Sequence, residues 1–267
     1  MNGSSLQWRV SRITPLGELL QPTRITGTMI RLVTQAFLVT FLWRALYQTR
    51  DSAGGLVEEQ AVTYAVLAVL ATQIRGLDRQ PARDTLLQHV QLGTVLYWFL
   101  RPLSPRRYYL LRALGDQLYG FCWVLAGYAI CLGFGAIQPP APGALPVFLL
   151  SMVCAQVIMY QLLLLVDLLC FWTLQNEAGL MILRFVQNLL SGVVAPLWFF
   201  PGWFLTLGWV LPFRYTLDVP LSLYIGRIEV GDGLGLIGVQ LLWCLLLATV
   251  TRLLWLRANS VVMIQGG

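Results

Sequence analysis

The chain has 267 residues, of which 57% are hydrophobic and 11% are charged. Soluble globular domains average about 45–50% apolar and about 25% charged residues, so this composition indicates a membrane protein. At about 20 residues per crossing, about six membrane helices would take up about half of the chain. No stretch resembles a separate soluble domain, and we expect residues 1–267 to form a single all-α integral membrane domain.

The charged and reactive residues exclude several kinds of site. All 18 basic residues are arginines, so the chain lacks the lysine of a Walker A loop and any Schiff-base lysine. The single histidine, His89, excludes a two-histidine metal motif, and the cysteines form no C-x-x-C pair. We therefore expect no catalytic residue, metal site or cofactor on this chain. If the protein uses ATP, the nucleotide and its Mg²⁺ must bind to a partner chain.

Six hydrophobic segments predict membrane helices, each long enough to cross a bilayer with some tilt. Most arginines flank one side of these segments, whereas Arg50, Arg214 and Arg227 lie on the other side. The positive-inside rule therefore predicts that both termini are cytoplasmic. The predicted spans are residues 25–47, 57–74, 107–134, 145–174, 179–200 and 234–256.

The loop of residues 75–106 is the only long loop on the cytoplasmic side, and it contains helix signals. Its arginines recur at every fourth position over residues 75–83, which places them on one face of a helix. An aspartate can cap a short helix that a glycine ends. These signals predict short helices on the inner membrane surface, which either anchor to lipid headgroups or dock onto a partner protein. The candidate docking residues are Arg75, Arg79, Arg83, Asp84, Leu86, Leu87, His89, Gly93 and Arg101.

The segment after the fifth predicted span is too short to cross the membrane. Residues 203–211 would form a helix of about 14 Å, whereas the hydrocarbon core is about 30 Å thick. We therefore expect residues 201–232 to lie in the outer interface or to enter the membrane and return. Its tryptophans and phenylalanines are typical of the aromatic belt at a membrane surface.

Two ionisable residues lie near the turn that joins the fourth and fifth spans. Asp167 and Arg184 are about equally far from residues 175–176 in sequence. Equal depth on adjacent helices predicts a structural ion pair between them. The alternative is a role in a substrate or proton path, because ionisable groups within membrane segments are often functional.

Several pieces of the chain resemble one known family. The sequence QLGTVLYWFLRPLS at residues 91–104 is similar to the family's signature after its second span, and LWRALY at residues 42–47 resembles the end of its first span. PLWFFP at residues 196–201 and the prolines and glycine that follow resemble the exit of its fifth span. In this order and spacing, the pieces resemble the ABC-2 type permeases, in particular the bacterial six-span ABC-2 family transporter subunits.

The resemblance implies a fold with six transmembrane helices, similar to that of type V exporters. It implies a cytoplasmic coupling helix between spans two and three and a re-entrant or interfacial segment after span five. Two permeases, identical or related, would pair with two ABC ATPase subunits that bind ATP, and the coupling helix would dock onto the ATPase. The resemblance also implies a bacterial cytoplasmic membrane location, contact with membrane lipid, and no nucleic-acid partner.

The function implied is that of a permease subunit in an ATP-driven exporter. Its uncharged spans, rich in leucine and aromatic residues, favour a hydrophobic or amphipathic substrate such as a drug, antibiotic, peptide or lipid. One alternative is a membrane scaffold or sensor subunit that recruits a partner through the same loop. Another is a secondary transporter, although the scarcity of carboxylates within the membrane and the lack of an inverted repeat count against it.

A stripe of small and polar residues follows one face of the fifth predicted span. Gln187 and Ser191 are four residues apart, and Gly192 and Pro196 lie beside them. In lipid, such residues turn towards protein or towards a cavity. The stripe therefore predicts either the border of the substrate path between two permeases or close helix packing without a path.

Overall fold

The computed structural model describes residues 22–48, 56–75, 77, 86–94 and 104–265. These residues are mainly helical, and no β-strand occurs among them. Short 3₁₀ turns occur at Leu197–Phe199 and Arg214–Thr216. The α-helices are α1 (Pro22–Tyr47), α2 (Glu58–Ala71), α3 (Leu86–Gln91), α4 (Pro105–Gly133), α5 (Ala144–Leu168), α6 (Cys170–Thr173), α7 (Glu177–Leu190), α8 (Gly202–Val210), α9 (Asp218–Tyr224) and α10 (Val230–Gln265).

Three helical stretches in the described part of the chain are long and apolar enough to cross a membrane. They are Pro22–Tyr47, Ala144–Thr173 and Val230–Ala258. The all-helical membrane class is thereby confirmed. Helices also cover the other three predicted spans, but α2 and α7 have 14 residues each. At about 21 Å each, these two helices are shorter than the hydrocarbon core of about 30 Å, and the six-span arrangement stays a prediction.

Helix α2 lies at the centre of the fold. Every residue from Ala61 to Ala71 is buried, and the helix packs against α1, α4 and α9. Alanines at positions 61, 65 and 68 share one face of the helix and allow its neighbours to approach closely. Glu58 and Glu59 in the first turn are favourably placed at the positive end of the helix dipole.

Helices α5 and α10 pack along each other and form the second part of the fold. Their shared core includes Ile158 and Met159 of α5 and Leu247 of α10, which are all buried. Helix α9 completes this core, because its Val219 and Leu223 side chains pack into the same cluster. The remaining faces of α1, α5 and α10 expose large apolar side chains, as is expected for helices that contact lipid.

The fifth predicted span is shorter as a helix than its hydrophobic run of residues 179–200. Helix α7 ends at Leu190, and the chain then turns at Gly192, which has φ of +83°. Glycine adopts this left-handed conformation without a steric penalty, and Pro196 prevents the helix from continuing beyond the turn. Residues 201–232, which we call the outer segment, then fold back so that α9 is buried along its whole length.

Candidate coupling and translocation sites

Helix α3, within the loop of residues 75–106, packs on a hydrophobic cluster at one end of the bundle. Leu86 is 4% exposed there, and Leu87 is half-buried against the cluster. The Gln91 Nε2 atom donates a 2.9 Å hydrogen bond to the Leu174 carbonyl oxygen. Leu86 thus contacts its own chain, and its docking role stays a prediction. This inner cluster comprises Leu86, Tyr108, Leu164, Leu168, Cys170, Phe171, Trp255 and Ala258.

The turn that follows α3 is exposed. Leu92 is 75% exposed, and the Gly93 that follows is also exposed, with φ of +68°. The His89 Nδ1 atom lies 2.8 Å from the Thr94 Oγ1 atom, which ties α3 to this turn. An apolar side chain therefore faces outward at the turn, whereas the leucines of α3 face inward. The predicted docking residues Arg79, Arg83, Asp84 and Arg101 lie outside the described residues.

The beginning of the loop is bound to α7. Arg75 is only 3% exposed, and its Nη1 atom donates a 3.0 Å hydrogen bond to Asn188 Oδ1. The Arg184 Nη2 atom donates a 2.6 Å hydrogen bond to the carbonyl oxygen of Leu77. Arg184 and Asn188 are one helical turn apart, so one face of α7 binds both Arg75 and Leu77. Arg75 therefore makes an internal contact, and the helix face that its spacing predicts with the arginines at positions 79 and 83 stays a prediction.

The Asp167 carboxylate and the Arg184 guanidinium have different partners. Asp167 Oδ2 accepts a hydrogen bond from the Tyr109 hydroxyl, and Oδ1 accepts one of 2.8 Å from Asn176 Nδ2. Arg184 donates to the Leu77 carbonyl oxygen. These contacts differ from the predicted Asp167–Arg184 ion pair, which stays a prediction. Equal depth along two helices does not determine which way each side chain faces, and two neutral donors bind this carboxylate.

The stripe on α7 faces the interior of the same chain. Gln187, Ser191, Gly192 and Pro196 are all buried. The Gln187 Nε2 atom donates a hydrogen bond to the Thr216 hydroxyl in the outer segment. The opposite face of the helix is apolar and exposed, and its largest exposed side chains are Met181, Ile182 and Phe185. Within one subunit, the stripe therefore makes the contacts of close helix packing.

A second buried glutamine also binds the 3₁₀ turn that contains Thr216. Gln240 on α10 is fully buried, and its Nε2 atom donates hydrogen bonds to the carbonyl oxygens of Tyr215, at 2.8 Å, and Ser151, at 3.2 Å. Gln187 binds the adjacent Thr216. Two amide side chains from α7 and α10 therefore fix the 3₁₀ turn of Arg214–Thr216. Gln240 is not among the residues that the sequence predicts as functional, although a glutamine in the middle of a long apolar helix is a signal of such a contact.

An ionic group, which we call the outer cluster, lies beside this turn and comprises Tyr64, Arg214 and Asp218. Asp218 Oδ2 accepts a 2.9 Å hydrogen bond from Arg214 Nε, and Oδ1 accepts a 3.1 Å hydrogen bond from the Tyr64 hydroxyl. Burial raises the pKa of the Asp218 carboxyl above its ordinary value, and the Arg214 guanidinium acts in the opposite direction. The signal in the sequence was the four-residue spacing of Arg214 and Asp218, which suits an ion pair along a helical turn.

Aromatic rings surround the outer cluster. The Trp198 ring meets the Tyr64 ring edge-on, with 4.8 Å between their centroids. The Arg227 guanidinium packs on the ring of the same tryptophan, with its carbon 4.0 Å from the Trp198 ring centroid. The Arg214 guanidinium carbon lies 3.9 Å from the Trp209 ring centroid. Cation–π contacts of this kind stabilise arginines in apolar surroundings, so the outer segment holds its cations close to the protein.

The chain is similar to known transporter proteins. The family described as ABC-2 family transporter protein matches residues 33–266. The probable multidrug ABC transporter permease YbhR of Escherichia coli K12 is 30% identical over 100 residues, which cover 38% of this chain and 27% of that protein. The protein of the same name from Escherichia coli O157:H7 has the same identity and coverage. No solved structure matches the chain significantly. With its apolar helices and a family match over most of its length, the chain belongs to the ABC-2 transporter family and is a multi-pass membrane protein.

Proposed function

We propose that this chain is the membrane-spanning permease subunit of an ATP-driven exporter. The contacts of α7 carry the proposal. Arg184 and Asn188 bind the segment that leads into the loop of residues 75–106, and Gln187 binds Thr216 of the outer segment. A single helix therefore contacts both regions. A displacement of the loop would move α7, and α7 would move the outer segment.

The partners in this proposal are two ABC ATPase subunits and a second permease, identical or related to this one. ATP and Mg²⁺ bind to the ATPase subunits, which supply the energy that this chain cannot obtain by itself. The surface for the ATPase is the turn at Leu92 and Gly93, because an exposed leucine beside a buried helix can enter an apolar groove. The anchoring of α3 to the inner cluster would make this contact rigid.

The proposed topology has six spans in the bacterial cytoplasmic membrane, with both termini in the cytoplasm. The arginines of the loop of residues 75–106 and of both terminal regions support this orientation. The outer segment then lies on the opposite side of the membrane from the ATPase. Residues 1–267 form one permease domain in this arrangement.

The proposed substrate is hydrophobic or amphipathic, such as a drug, antibiotic, peptide or lipid. The exposed aromatic and aliphatic side chains of α1 and α7 support this class of substrate, because they offer no charge to an ionic cargo. The relatives from Escherichia coli carry the name of a multidrug permease. We propose that the path runs along the exposed face of α7 between two subunits. The stripe from Gln187 to Pro196, on the buried face, then holds α7 against its own subunit.

The test is purification of the chain in mild detergent from its native membrane, followed by identification of the bound subunits. We expect an ABC ATPase and a permease to copurify, and we expect hydrophobic compounds to stimulate ATP hydrolysis by the complex. Purification without any ATPase would contradict the proposal. Substrate transport by the reconstituted chain alone, driven by an ion gradient, would instead identify a secondary transporter.

A further inference from the structure

We propose that Tyr64 and Asp218 form a latch that holds the outer end of the translocation path closed, and that export requires their hydrogen bond to break. This inference rests on the proposed export function. It assigns a role to two buried residues, one on α2 and one on α9, which are separated by 154 residues in sequence.

The Tyr64 hydroxyl is the point at which three parts of the fold meet. It donates a 3.1 Å hydrogen bond to Asp218 Oδ1 of the outer segment and lies 3.5 Å from the carbonyl oxygen of Gly192, in the turn after α7. A Cβ atom at Gly192 would overlap this hydroxyl, so the turn fits around it. A separation of the outer segment from α2 must therefore break the contact at Tyr64.

The charges are arranged so that the latch can open without leaving an ion unpaired. Arg214 and Asp218 form their 2.9 Å contact within the outer segment, four residues apart. Only the neutral hydroxyl of Tyr64 joins this pair to α2. An isolated buried charge is strongly destabilising, whereas a neutral hydroxyl is much less so. When the outer segment moves away, the ion pair moves with it, and α2 loses the Tyr64 hydrogen bond, the hydrogen bond of Gln60 and its apolar packing against α9.

The surrounding contacts are also compatible with a reversible movement. The Trp198 ring contacts the Tyr64 ring edge-on, and the Arg227 guanidinium of the outer segment lies over the Trp198 ring. The second polar contact between α2 and this region joins Gln60 Nε2 to the Ile225 carbonyl oxygen, at 3.1 Å. In both hydrogen bonds the donor on α2 is neutral, so both can form again when the segment closes.

The first experiment measures access to the latch from outside. The full complex in native membranes, without nucleotide, carries Ser191→Cys, whose position is fully buried beside Gly192. A membrane-impermeant maleimide is added from outside, with and without Tyr64→Phe, which removes only the hydroxyl. We expect Tyr64→Phe to raise the labelling rate about tenfold, which corresponds to about 1.4 kcal/mol. The same variants without Ser191→Cys give the background from the native cysteines.

The matched control is Tyr109→Phe, which removes the hydrogen bond from a tyrosine to Asp167 at the other end of the bundle. It should leave the labelling rate unchanged. An unchanged labelling rate in Tyr64→Phe would overturn the latch. An equal rise in Tyr109→Phe would also overturn it, because it would indicate that either substitution loosens the whole bundle. Glu229→Cys, at an exposed position of the outer segment, should react in every background. Its failure to react would contradict the proposed orientation.

A second experiment locks the segment in place. Gln60→Cys and Ile225→Cys would be joined by a short, cleavable thiol cross-linker, which fixes α2 to the outer segment. We expect the cross-linked complex to lose export, and cleavage of the linker to restore it. Export at the parent rate while cross-linked would refute the requirement for opening. The labelling experiment needs no known cargo, so its result stands apart from the test of the export function.

Discussion

The Arg184 Nη2 atom lies 2.6 Å from the carbonyl oxygen of Leu77, so a side chain of α7 binds the backbone just after α2. Leu77 itself is buried in the core formed by α5, α9 and α10. The first residues of the loop therefore belong to the bundle. Any force applied to the later part of the loop acts on α7 through this contact and through the hydrogen bond between Arg75 and Asn188.

We expect Arg184→Met to weaken this connection. The substitution leaves the Leu77 carbonyl oxygen without its guanidinium donor, and the free energy of unfolding should fall by about 1 kcal/mol. Thermal unfolding in detergent measures the change. Arg252→Met, at an exposed position on α10, serves as the control for loss of a cation. Equal unfolding temperatures for Arg184→Met and Arg252→Met would contradict the importance of the contact.

A double-mutant cycle distinguishes the partners of Asp167. The pair Asp167→Asn and Tyr109→Phe should show a coupling energy of about 1 kcal/mol, because Tyr109→Phe removes the donor and Asp167→Asn the negative charge of the same hydrogen bond. The pair Asp167→Asn and Arg184→Gln should be additive within about 0.5 kcal/mol, as for residues without a shared contact. Both cycles use the free energy of unfolding. A larger coupling with Arg184 than with Tyr109 would restore the ion pair that the sequence predicted.

Substitutions at the two ends of α3 should have different effects. Leu86→Asp places a carboxylate in the inner cluster, so we expect the protein to fold poorly and to yield little monodisperse material. Leu92→Asp changes an exposed side chain, so insertion and unfolding temperature should stay at the parent values while the ATPase no longer copurifies. Normal ATPase recovery with Leu92→Asp would exclude this turn as the docking surface.

The turn after α7 should tolerate no side chain at position 192. Gly192→Ala combines a left-handed φ of +83° with an overlap between the new methyl group and the Tyr64 hydroxyl. We expect a loss of at least about 1–2 kcal/mol of stability from the backbone alone. Adding Tyr64→Phe should recover part of the loss, because it removes the overlapping oxygen.

The control for this turn is Gly202→Ala. A Cβ atom at position 202 meets no neighbouring atom within 4 Å, and its φ is not in the left-handed region. We expect this substitution to leave the unfolding temperature almost unchanged. If both alanine variants were equally stable, the fit of the turn around Tyr64 would be disproved.

Local signals in the sequence predicted several helix boundaries well. The third predicted span of residues 107–134 corresponds to α4, which begins at Pro105 after Ser104 at its N-cap. Serine followed by proline favours a first helical turn, and this preference depends only on neighbouring residues. The short apolar piece of residues 203–211 likewise forms a helix of nine residues, α8. Such features are set locally, so tertiary contacts do not alter them.

The direction in which polar side chains face could not be predicted in the same way. The spacing of Arg75 predicts only a shared helix face, whereas its guanidinium binds Asn188, which is 113 residues away in sequence. Gln187 was recognised as part of a polar face, whereas its partner Thr216 depends on the path of the outer segment. These contacts depend on long-range packing, which no local pattern specifies.

The complete enclosure of α2 has a consequence for biogenesis. All residues from Ala61 to Ala71 are covered by protein, and one of the covering elements is α9, which is synthesised much later. When the ribosome has made only the first half of the chain, Tyr64 has no Asp218 to bind. Until then, α2 remains in the membrane beside α1. Correct maturation is therefore completed only after residues 218–224 emerge. Chains truncated before that point would expose α2 to membrane quality-control proteases.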